Sequence, residues 1–332
     1  MEELTHRERL LRIIAGERPD RFAASFWRHF FSREHDAEGT AVAMIDFQKQ
    51  FDWDFIKVNP RADFHVQDYG LKLDYSTDDL VKHIKSDFPV KTIDDWQKIE
   101  PLPLTSPVLS EHLKTVSLIR KAFGKDLPIL MTVFTPLSIA GRLVEERSLL
   151  LEHLREAPQK VESAVKAICE TFTAFSSELR NAGADGLFYA TTHWATSDKF
   201  SWDEYKRLAL PYDLKVIQAT GDDAINLLHI CSSNCFLYEM AAIDHRCQLL
   251  NWDATDPSNP SIADAGKRIT NMVMAGGIEY GESFSKSTAK EVADSIEDFK
   301  STHDPARAII APGCAVDPSV PTENLMAIRE RL

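Results

Sequence analysis

The chain has 332 residues, of which 44% are hydrophobic, and this is enough to bury a sizeable core. It is longer than most single domains unless it forms an α/β barrel. The 51 acidic residues outnumber the 38 basic residues, the formal net charge is -13, and like charges form no block. This charge argues against a nucleic-acid phosphate backbone or an anionic membrane as the partner.

The amino-terminal segment MEELTHRERLLRIIAGERPD is charged throughout and lacks the apolar core of a signal peptide. No apolar run approaches the ~20 residues that a membrane helix needs. Five cysteines, too few and too scattered for a disulfide framework, stand at Cys169, Cys231, Cys235, Cys247 and Cys314. We therefore expect a cytoplasmic protein whose thiols are buried or bind a metal.

Short apolar runs rich in β-branched residues alternate with segments whose apolar residues recur three and four positions apart. This alternation predicts parallel strands joined by helices. Eight such units without a flexible linker favour a closed (β/α)8 barrel, the TIM barrel, over a doubly wound sheet with an appended domain. We expect residues 1–332 to form this single domain. The predicted strands are Phe22–Trp27, Asp54–Asn59, Leu127–Phe134, Gly186–Ala190, Ile225–Ile230, Gln248–Asn251, Met272–Ala275 and Ala308–Ala311.

The clearest helix is predicted from about Pro158 to Asn181, where an apolar stripe includes Cys169 and where Gly183 follows the end. Burial in the core is the expected role of Cys169. The segment from Gly70 to Pro107 carries turn signals and no clear strand. It predicts an insertion after the second strand that could cover the mouth of the barrel.

A metal site is indicated by three residues that are far apart in sequence. His229 and Cys231 lie two positions apart at the end of an apolar strand and therefore point to the same side. Cys314 follows the last predicted strand, and a barrel brings the ends of strands five and eight to one opening. One histidine and two cysteines suit Zn²⁺ and leave a coordination position open, as in catalytic zinc sites. Ordinary burial is the alternative, and we interpret Cys235 and Cys247 as structural.

Two further residues are candidates for catalysis. Asp253 follows the sixth predicted strand, where it could serve as a fourth ligand or as an acid or base. A loop aspartate that makes a turn is an equally good interpretation of the same pattern. Tyr189 stands at the fourth strand and is expected to form part of a polar and aromatic wall at the opening.

The remaining candidates are polar residues that follow the first four predicted strands. Arginines at such positions form a rim that can bind carboxylates, although solvated surface arginines are the commoner case. The predicted substrate-binding residues are Arg28, His29, Asn59, Arg61, Arg142 and His193.

Five segments carry a family resemblance: ERLLRIIAGERPDR, DWDFIKVNPRADFHVQDYG, AGADGLFYATTH, LLNWDATDP and IIAPGCAVDPSVPTENLMAIRE. Together they resemble the uroporphyrinogen decarboxylase superfamily, and within it the zinc-dependent methylcobalamin methyltransferases. The resemblance covers nearly the whole chain and implies a (β/α)8 barrel with a deep cleft. Superfamily members differ in chemistry, so the function depends on the site.

The resemblance also implies what a true decarboxylase of this superfamily requires. Such enzymes bind the acid arms of a tetrapyrrole with an arginine-rich amino-terminal motif, an aspartate after the second strand and a later tyrosine. This chain keeps only Arg28 of that motif, has Asn59 roughly where the aspartate is expected and has Arg142 near the tyrosine position. These departures argue against decarboxylation of uroporphyrinogen.

The methyltransferase branch instead implies a His-x-Cys pair and a distant Pro-Gly-Cys turn, which His229, Cys231 and Cys314 supply. The implied reaction moves a methyl group between a corrinoid, as methylcobalamin or a corrinoid protein, and a small thiol that zinc activates. A metal-independent tetrapyrrole decarboxylase and a non-catalytic corrinoid- or tetrapyrrole-binding protein are the alternatives. The thiol, the methyl donor and the oligomeric state stay open.

Overall fold

The computed structural model describes residues 3–332 as an alternation of helices and strands. Strands in chain order are β1 Ile56–Val58, β2 Lys72–Asp74, β3 Ile84–Asp87, β4 Ile129–Phe134, β5 Gly186–Ala190, β6 Leu227–Ile230, β7 Leu249–Trp252, β8 Val273–Ile278 and β9 Ala308–Pro312. Helices are α1 His6–Ile14, α2 Ala37–Phe51, α3 Phe64–Gln67, α4 Pro107–Phe123, α5 Pro136–Ala140, α6 Arg147–Glu156, α7 Pro158–Ala182, α8 Trp202–Leu208, α9 Leu210–Gln218, α10 Leu237–Ala241, α11 Ile262–Gly266, α12 Glu282–Lys286, α13 Ala289–Thr302 and α14 Thr322–Arg329. Within residues 3–332, no helix combines the length and the apolar character that crossing a membrane requires.

Seven strands form one curled parallel sheet in the order β1-β4-β5-β6-β7-β8-β9. A short extended segment, residues 23–25, bonds to both edges of this sheet. Ile310 N–H of β9 donates to the Ala23 carbonyl, and Ser25 N–H donates to the Ile310 carbonyl. On the other edge, Asp54 N–H donates to the Ala24 carbonyl just before β1. The two edges of the sheet therefore share one bridging segment.

Seven of the predicted strands are confirmed, with ends that differ from the prediction by up to three residues. The prediction of a regular strand at Phe22–Trp27 is wrong, because the segment forms only an isolated bridge between Ala24 and Ile310. The Ala24 N–H donates to the side-chain carboxylate of Asp54, 2.8 Å away, instead of to a neighbouring backbone carbonyl. A side-chain acceptor has replaced one bond of the expected ladder.

The segment between Gly70 and Pro107 is more ordered than the sequence predicts. The strands β2 and β3 pair in antiparallel fashion, and a 3-10 helix follows at Ile93–Lys98. The expectation that this insertion lacks a strand was wrong, because β2 and β3 are polar and mostly exposed. Exposed two-stranded ribbons have no buried face and so lack the apolar alternation that marks a strand.

The predicted helix from about Pro158 to Asn181 is confirmed as α7, which begins at Pro158 and ends at Ala182. Gly183 ends it in the left-handed conformation, with φ of 108°, where a side chain would be strained. Its buried stripe includes Cys169, which is 1% exposed and packs in the core as expected. The helix packs against α9 and against the 3-10 helix.

Alternate residues of each strand face two separate cores, because successive side chains of a strand point to opposite sides. The outer core lies between the sheet and the surrounding helices and contains Leu187 and Tyr189. The inner core is enclosed by the curled sheet and contains Phe188 and Ala190 from the same strand. Helix α1 contributes Leu10 to this inner core.

A buried ion network joins α1 to the amino-terminal end of the sheet. Arg9 donates to Asp20 and to the fully buried Asp54, and Arg21 donates to both oxygens of Asp54. Burial acts to raise the pKa of Asp54, but hydrogen bonds and charges from His6, Arg21 and Arg9 lower it to about 2. Removing one partner of such a network typically costs about 3–5 kcal/mol because a charge is left buried.

Candidate metal centre

One nitrogen and two sulfur atoms meet at the carboxyl-terminal end of the sheet. The ligand atoms of His229, Cys231 and Cys314 all lie within 4.8 Å of one another. His229 belongs to β6, Cys231 follows it directly, and Cys314 lies in the turn after β9. All five cysteines of the chain are free thiols. The structure thus brings together the three residues that the sequence predicted as ligands, and metal binding itself stays a prediction.

The His229 ring is oriented by a side chain of the neighbouring strand. Its Nδ1 lies 2.5 Å from Oδ1 of Asn251, and the Asn251 Nδ2 donates to the carbonyls of Ala275 and Pro312. Two carbonyl acceptors require the amide nitrogen on their side, so Oδ1 faces His229 and accepts the Nδ1 proton. The Nε2 lone pair is therefore left free, which is the state that a metal ligand needs.

The two neighbouring thiols shift each other's pKa in opposite directions. The contact with the Cys231 thiol holds the pKa of Cys314 well below its usual range, although burial acts against this. The same contact with Cys314, together with burial, raises the pKa of Cys231. Two cysteine sulfurs beside a free imidazole nitrogen are a donor set that fits Zn²⁺, with one coordination position left over.

The turn that carries Cys314 packs directly on the loop after β7. A Cβ atom at Gly313 would lie 2.9 Å from the Asp253 Cα, so only glycine fits there. Asp253 accepts hydrogen bonds at Oδ1 from Thr255 and Asp256, and at Oδ2 from the Tyr280 hydroxyl at 3.0 Å. It therefore makes the turn that the sequence allowed as an alternative, and a role as acid, base or ligand stays a prediction.

A cavity of about 460 Å³ is lined by the basic side chains of Lys85, Arg142, Arg147 and His193 and by two acidic ones, Glu145 and Glu146. Arg142 pairs with Asp63 and lies over the Phe134 ring, and Lys85 pairs with the same Asp63. Arg147 forms no ion pair with the side chains that the structure describes. Lys199 lies close enough for its charge, like those of Arg142 and Arg147, to act on Cys231. The charges of these cations therefore reach one of the two sulfur ligands.

His193 stands among these cations and is uncharged near neutral pH. Burial, together with the charges of Arg147, Arg142 and Lys199, lowers its pKa to about 4. A neutral imidazole at this position can still donate or accept one hydrogen bond. His193 and Arg142 are thus the predicted substrate-binding residues that the structure brings into one cavity.

Tyr189 does not lie at the opening, and the prediction that it is catalytic was wrong. Its ring is fully buried in the outer core, and its hydroxyl donates to the backbone carbonyl of Asp213 at 3.0 Å. The neighbouring residues Phe188 and Ala190 face the inner core, so the alternation of β5 sends Tyr189 toward the helices.

Arg61 is also unavailable to a substrate. It is 1% exposed and donates to both oxygens of Glu111, to Gln67 and to the His35 carbonyl. Its guanidinium thus fastens α3 and α4 to the loop before α2. The predicted binding role is wrong, because the guanidinium is paired with the carboxylate of Glu111, a residue distant in sequence.

The other predicted rim residues are held by neighbours at the same end of the sheet. Arg28 lies 3.5 Å from Asp79 and His29 lies 3.1 Å from Glu34. Asn59 accepts a hydrogen bond from Lys57, and its buried amide nitrogen has no partner among the described residues. Their role in binding stays a prediction.

Sequence reasoning missed Lys57, Asn251 and Arg147. The first two had a readable signal, because each is a polar residue inside an apolar strand run, IKV and LLNW. A polar side chain in such a run must face either a core or a site. A site is the simpler explanation, because burying a polar group in a core is costly unless it finds hydrogen-bond partners. Arg147 had no such signal, since it begins a helix among other charged residues.

The chain is similar in sequence to two methyltransferases. Methylcobamide:CoM methyltransferase MtbA of Methanosarcina acetivorans is 22% identical over 253 residues, which cover 76% of this chain and 70% of that protein. Methylcobamide:CoM methyltransferase MtaA of Methanosarcina barkeri is 24% identical over 224 residues, which cover 65% of this chain and 61% of that protein.

Among solved structures, one described as a methyltransferase from Methanosarcina mazei aligns with a TM-score of 0.83 at 18% identity, covering 99% of both chains. A B12-independent methionine synthase from Shewanella sp. W3-18-1 aligns with a TM-score of 0.58 at 12% identity, covering 93% of this chain and 96% of that one. At these identities the likeness shows the fold alone. The model of the family described as Uroporphyrinogen decarboxylase (URO-D) matches residues 5–332. The chain therefore belongs to the uroporphyrinogen decarboxylase family.

Proposed function

We propose that this protein is a zinc-dependent methyltransferase that moves a methyl group between a corrinoid and a thiol. The observation that carries the proposal is the meeting of one free imidazole nitrogen and two cysteine sulfurs within 4.8 Å of one another. The charges of Arg142 and Arg147, which line the cavity, act on Cys231. The relatives that act on methylcobamide and CoM, a corrinoid and a thiol by name, support the same reaction.

His229, Cys231 and Cys314 would hold the zinc ion in this proposal. When bound, zinc supplies a Lewis acid that lets a substrate thiol lose its proton near neutral pH. Asn251 keeps the His229 Nε2 directed at the centre. The close approach of Gly313 to Asp253 holds the Cys314 turn in place. The chain's own contribution is thus a preorganised donor set.

The basic rim supports a thiol substrate with an anionic tail. Arg142, Arg147 and Lys85 line the cavity, and the charges of the two arginines act on Cys231. Neutral His193 offers one further hydrogen bond. Guanidinium groups bind carboxylate or sulfonate oxygens in pairs, so the tail would fix the direction of the sulfur. Positioning of this kind brings two reactants into line without any further chemistry.

In the forward reaction the thiolate sulfur forms a bond to the methyl carbon while the bond from that carbon to cobalt breaks, and the bonding pair stays with the corrinoid. The mouth of the sheet would receive free methylcobalamin or a corrinoid protein. We keep Arg28, His29 and Asn59 as proposed contacts to this larger partner and Asp253 as a proposed acid or base near the sulfurs.

The architecture behind this site is proposed to be one closed (β/α)8 barrel formed by residues 1–332. The hydrogen bonds from residues 23–25 to β9 and to the residue before β1 support closure of the sheet. The pairing of Lys85 in the β2-β3 insertion with Asp63 supports an insertion that borders the mouth. Five free thiols support a reducing compartment, and we propose the cytoplasm.

The first experiment measures the metal content of the native chain and of His229→Ala and Cys314→Ala, with Cys235→Ala as a matched control. Cys235 is a free thiol in the loop after β6 that lies outside the ligand cluster. We expect about one zinc per chain in the native protein and in the control, and loss of zinc in the other two variants.

Thiol-dependent demethylation of methylcobalamin, followed by absorbance, should parallel the zinc content of these four proteins. A native chain that takes up no zinc after reconstitution overturns the methyltransferase. A metal-independent loss of carboxyl groups from a tetrapyrrole would then identify a decarboxylase, and tight tetrapyrrole or corrinoid binding without turnover would identify a binding protein.

A further inference from the structure

A lysine lies inside the curled sheet, in the layer of side chains that contains His229. Lys57 is the central residue of β1, and its strand neighbours Ile56 and Val58 face the outer core. Its side chain therefore points inward, where it is 8% exposed. Its ammonium lies 4.8 Å from the ring centre of Phe188, a ring that in turn packs 5.0 Å from the His229 ring.

The buried ammonium has little local compensation. It donates one hydrogen bond to Asn59 and lies 5.9 Å from the Trp27 ring centre, and it forms no ion pair with the side chains that the structure describes. Glu34, whose charge reaches Lys57, is already bonded to His29 and to the Ala62 N–H. Burying a cation without a paired anion is costly, so a fold retains one where a negative charge is to be met.

The Phe188 ring packs against both the Lys57 ammonium and the ring of the candidate ligand His229. Burial lowers the pKa of Lys57 to about 7, and the Cys314 sulfur acts in the opposite direction. The ammonium and the candidate ligand His229 therefore share one low-dielectric interior, in which charges interact more strongly than in water.

The role of this cation follows from the net charge of the metal centre, a step that rests on the proposed function. Two cysteine thiolates neutralise a divalent ion, and a neutral imidazole adds nothing. A substrate thiolate would then leave the centre with one excess negative charge. We infer that Lys57 is a positioning residue that balances this charge and so lets the centre accept an anionic sulfur ligand in preference to a neutral one.

Lys57 would act on the bound sulfur through its field, without touching the reacting atoms. Its removal should weaken the binding of a thiol, which loses its proton on binding, and should leave the binding of a neutral ligand unchanged. It should also leave the thiolate at least as nucleophilic as before, because a nearby positive charge withdraws electron density from sulfur. A change in KM without a fall in kcat is the expected kinetic pattern.

The test uses zinc-loaded native protein, two neutral variants, Lys57→Met and Lys57→Gln, and the control Lys98→Met. Met matches the length of lysine between two rings, Gln keeps a donor for Asn59, and Lys98 is an exposed lysine. The two probes are 2-mercaptoethanol, whose neutral tail makes no use of the basic rim, and imidazole. Their affinities are measured by calorimetry, and the zinc content is measured in parallel.

We expect both neutral variants to retain zinc, to bind 2-mercaptoethanol about tenfold more weakly and to bind imidazole as the native protein does. In the demethylation assay the KM for 2-mercaptoethanol should rise by a similar factor at unchanged or higher kcat. Equal affinities of native and variant proteins for 2-mercaptoethanol overturn the inference. So does an equal loss for both probes, which would indicate a structural role.

The outcome for the inference is separable from the outcome for the proposed function. Native protein that takes up no zinc overturns both. Native protein that takes up zinc and demethylates methylcobalamin, while the Lys57 variants bind thiol normally, overturns the role of Lys57 alone.

Discussion

The Nδ1 atom of His229 and the Oδ1 atom of Asn251 are 2.5 Å apart, and their Cα atoms are register partners on adjacent strands. The amide of Asn251 is itself fixed, because its nitrogen donates to carbonyls of the next strand and of β9. One side chain therefore connects three strands and selects the tautomer of the histidine. The position of Asn251 behind the ligand is typical of the outer partners that orient metal-binding histidines.

Replacing Asn251 should weaken zinc binding while the three ligands remain in place. We expect Asn251→Ala to lose about 10–100-fold in zinc affinity, because the His229 ring can then rotate and change tautomer. Competition with a chromophoric chelator measures the affinity. The matched control is Asn226→Ala, another buried asparagine with three backbone or side-chain partners. It should lower the stability and leave zinc affinity intact, and equal zinc affinities in both variants would contradict the role of Asn251.

Arg147 should recognise the charged tail of the substrate. It lines the basic cavity without an ion pair to any described residue, so its replacement leaves no carboxylate unpaired. We expect Arg147→Met to raise the KM for a thiol with a sulfonate or carboxylate tail about tenfold, and to leave the KM for 2-mercaptoethanol nearly unchanged. Arg155→Met, an exposed arginine on the same helix, serves as the control. Equal effects on charged and uncharged thiols would argue against an anion site.

Tyr189 should prove to be structural. Its hydroxyl donates to the Asp213 carbonyl on the helix side of the sheet. The side chain therefore points away from the ligand cluster. We expect Tyr189→Phe to retain zinc and to keep kcat within about twofold, and to lose about 1 kcal/mol of unfolding free energy with its hydrogen bond. Urea denaturation and the demethylation assay measure these quantities. A large fall in kcat with normal zinc content would restore the catalytic role.

Asp213 should make the stability depend on pH. Burial raises its pKa to about 8, although the Tyr205 hydroxyl donates to it. Between about pH 4 and pH 8 the folded state therefore holds a proton that the unfolded state has released, and stability falls as the pH rises. The slope for one proton is about 1.4 kcal/mol per pH unit at most.

The neutral variant Asp213→Asn removes this contribution. Its unfolding free energy relative to the native protein should increase steadily from pH 5 to pH 8 in urea titrations. If the two curves run parallel over this range, Asp213 does not carry a raised pKa in the folded state.

The main sheet could be predicted because buried parallel strands have short apolar runs in their sequence. Strand β5 was predicted with the bounds that the structure shows. The β2-β3 ribbon could not be predicted, because strands that bury neither face follow no apolar period. The bridge at Ala24 was over-predicted for the opposite reason. Its apolar residues are buried, but the Asp54 side chain takes the backbone donor.

The ligand cluster was predictable from topology, since the carboxyl ends of parallel strands meet at one edge whatever their distance in sequence. His229 and Cys314 are joined in this way. The errors at Tyr189 and Arg61 have a different cause. The direction of the Tyr189 side chain depends on which residues of β5 face inward. The availability of Arg61 depends on its pairing with Glu111. Neither property can be predicted from a local sequence pattern.

The ion network around Asp54 and the ligand cluster around His229 occupy opposite ends of the same sheet. One end is locked by charges that are fully satisfied within the chain, and the other keeps an imidazole nitrogen and a cavity open to partners. The residues that stabilise the fold and the residues proposed to carry the chemistry therefore lie at separate ends of the sheet. Substitutions in the Asp54 network are therefore expected to lower the thermal stability while leaving the ligand cluster at the other end of the sheet in place.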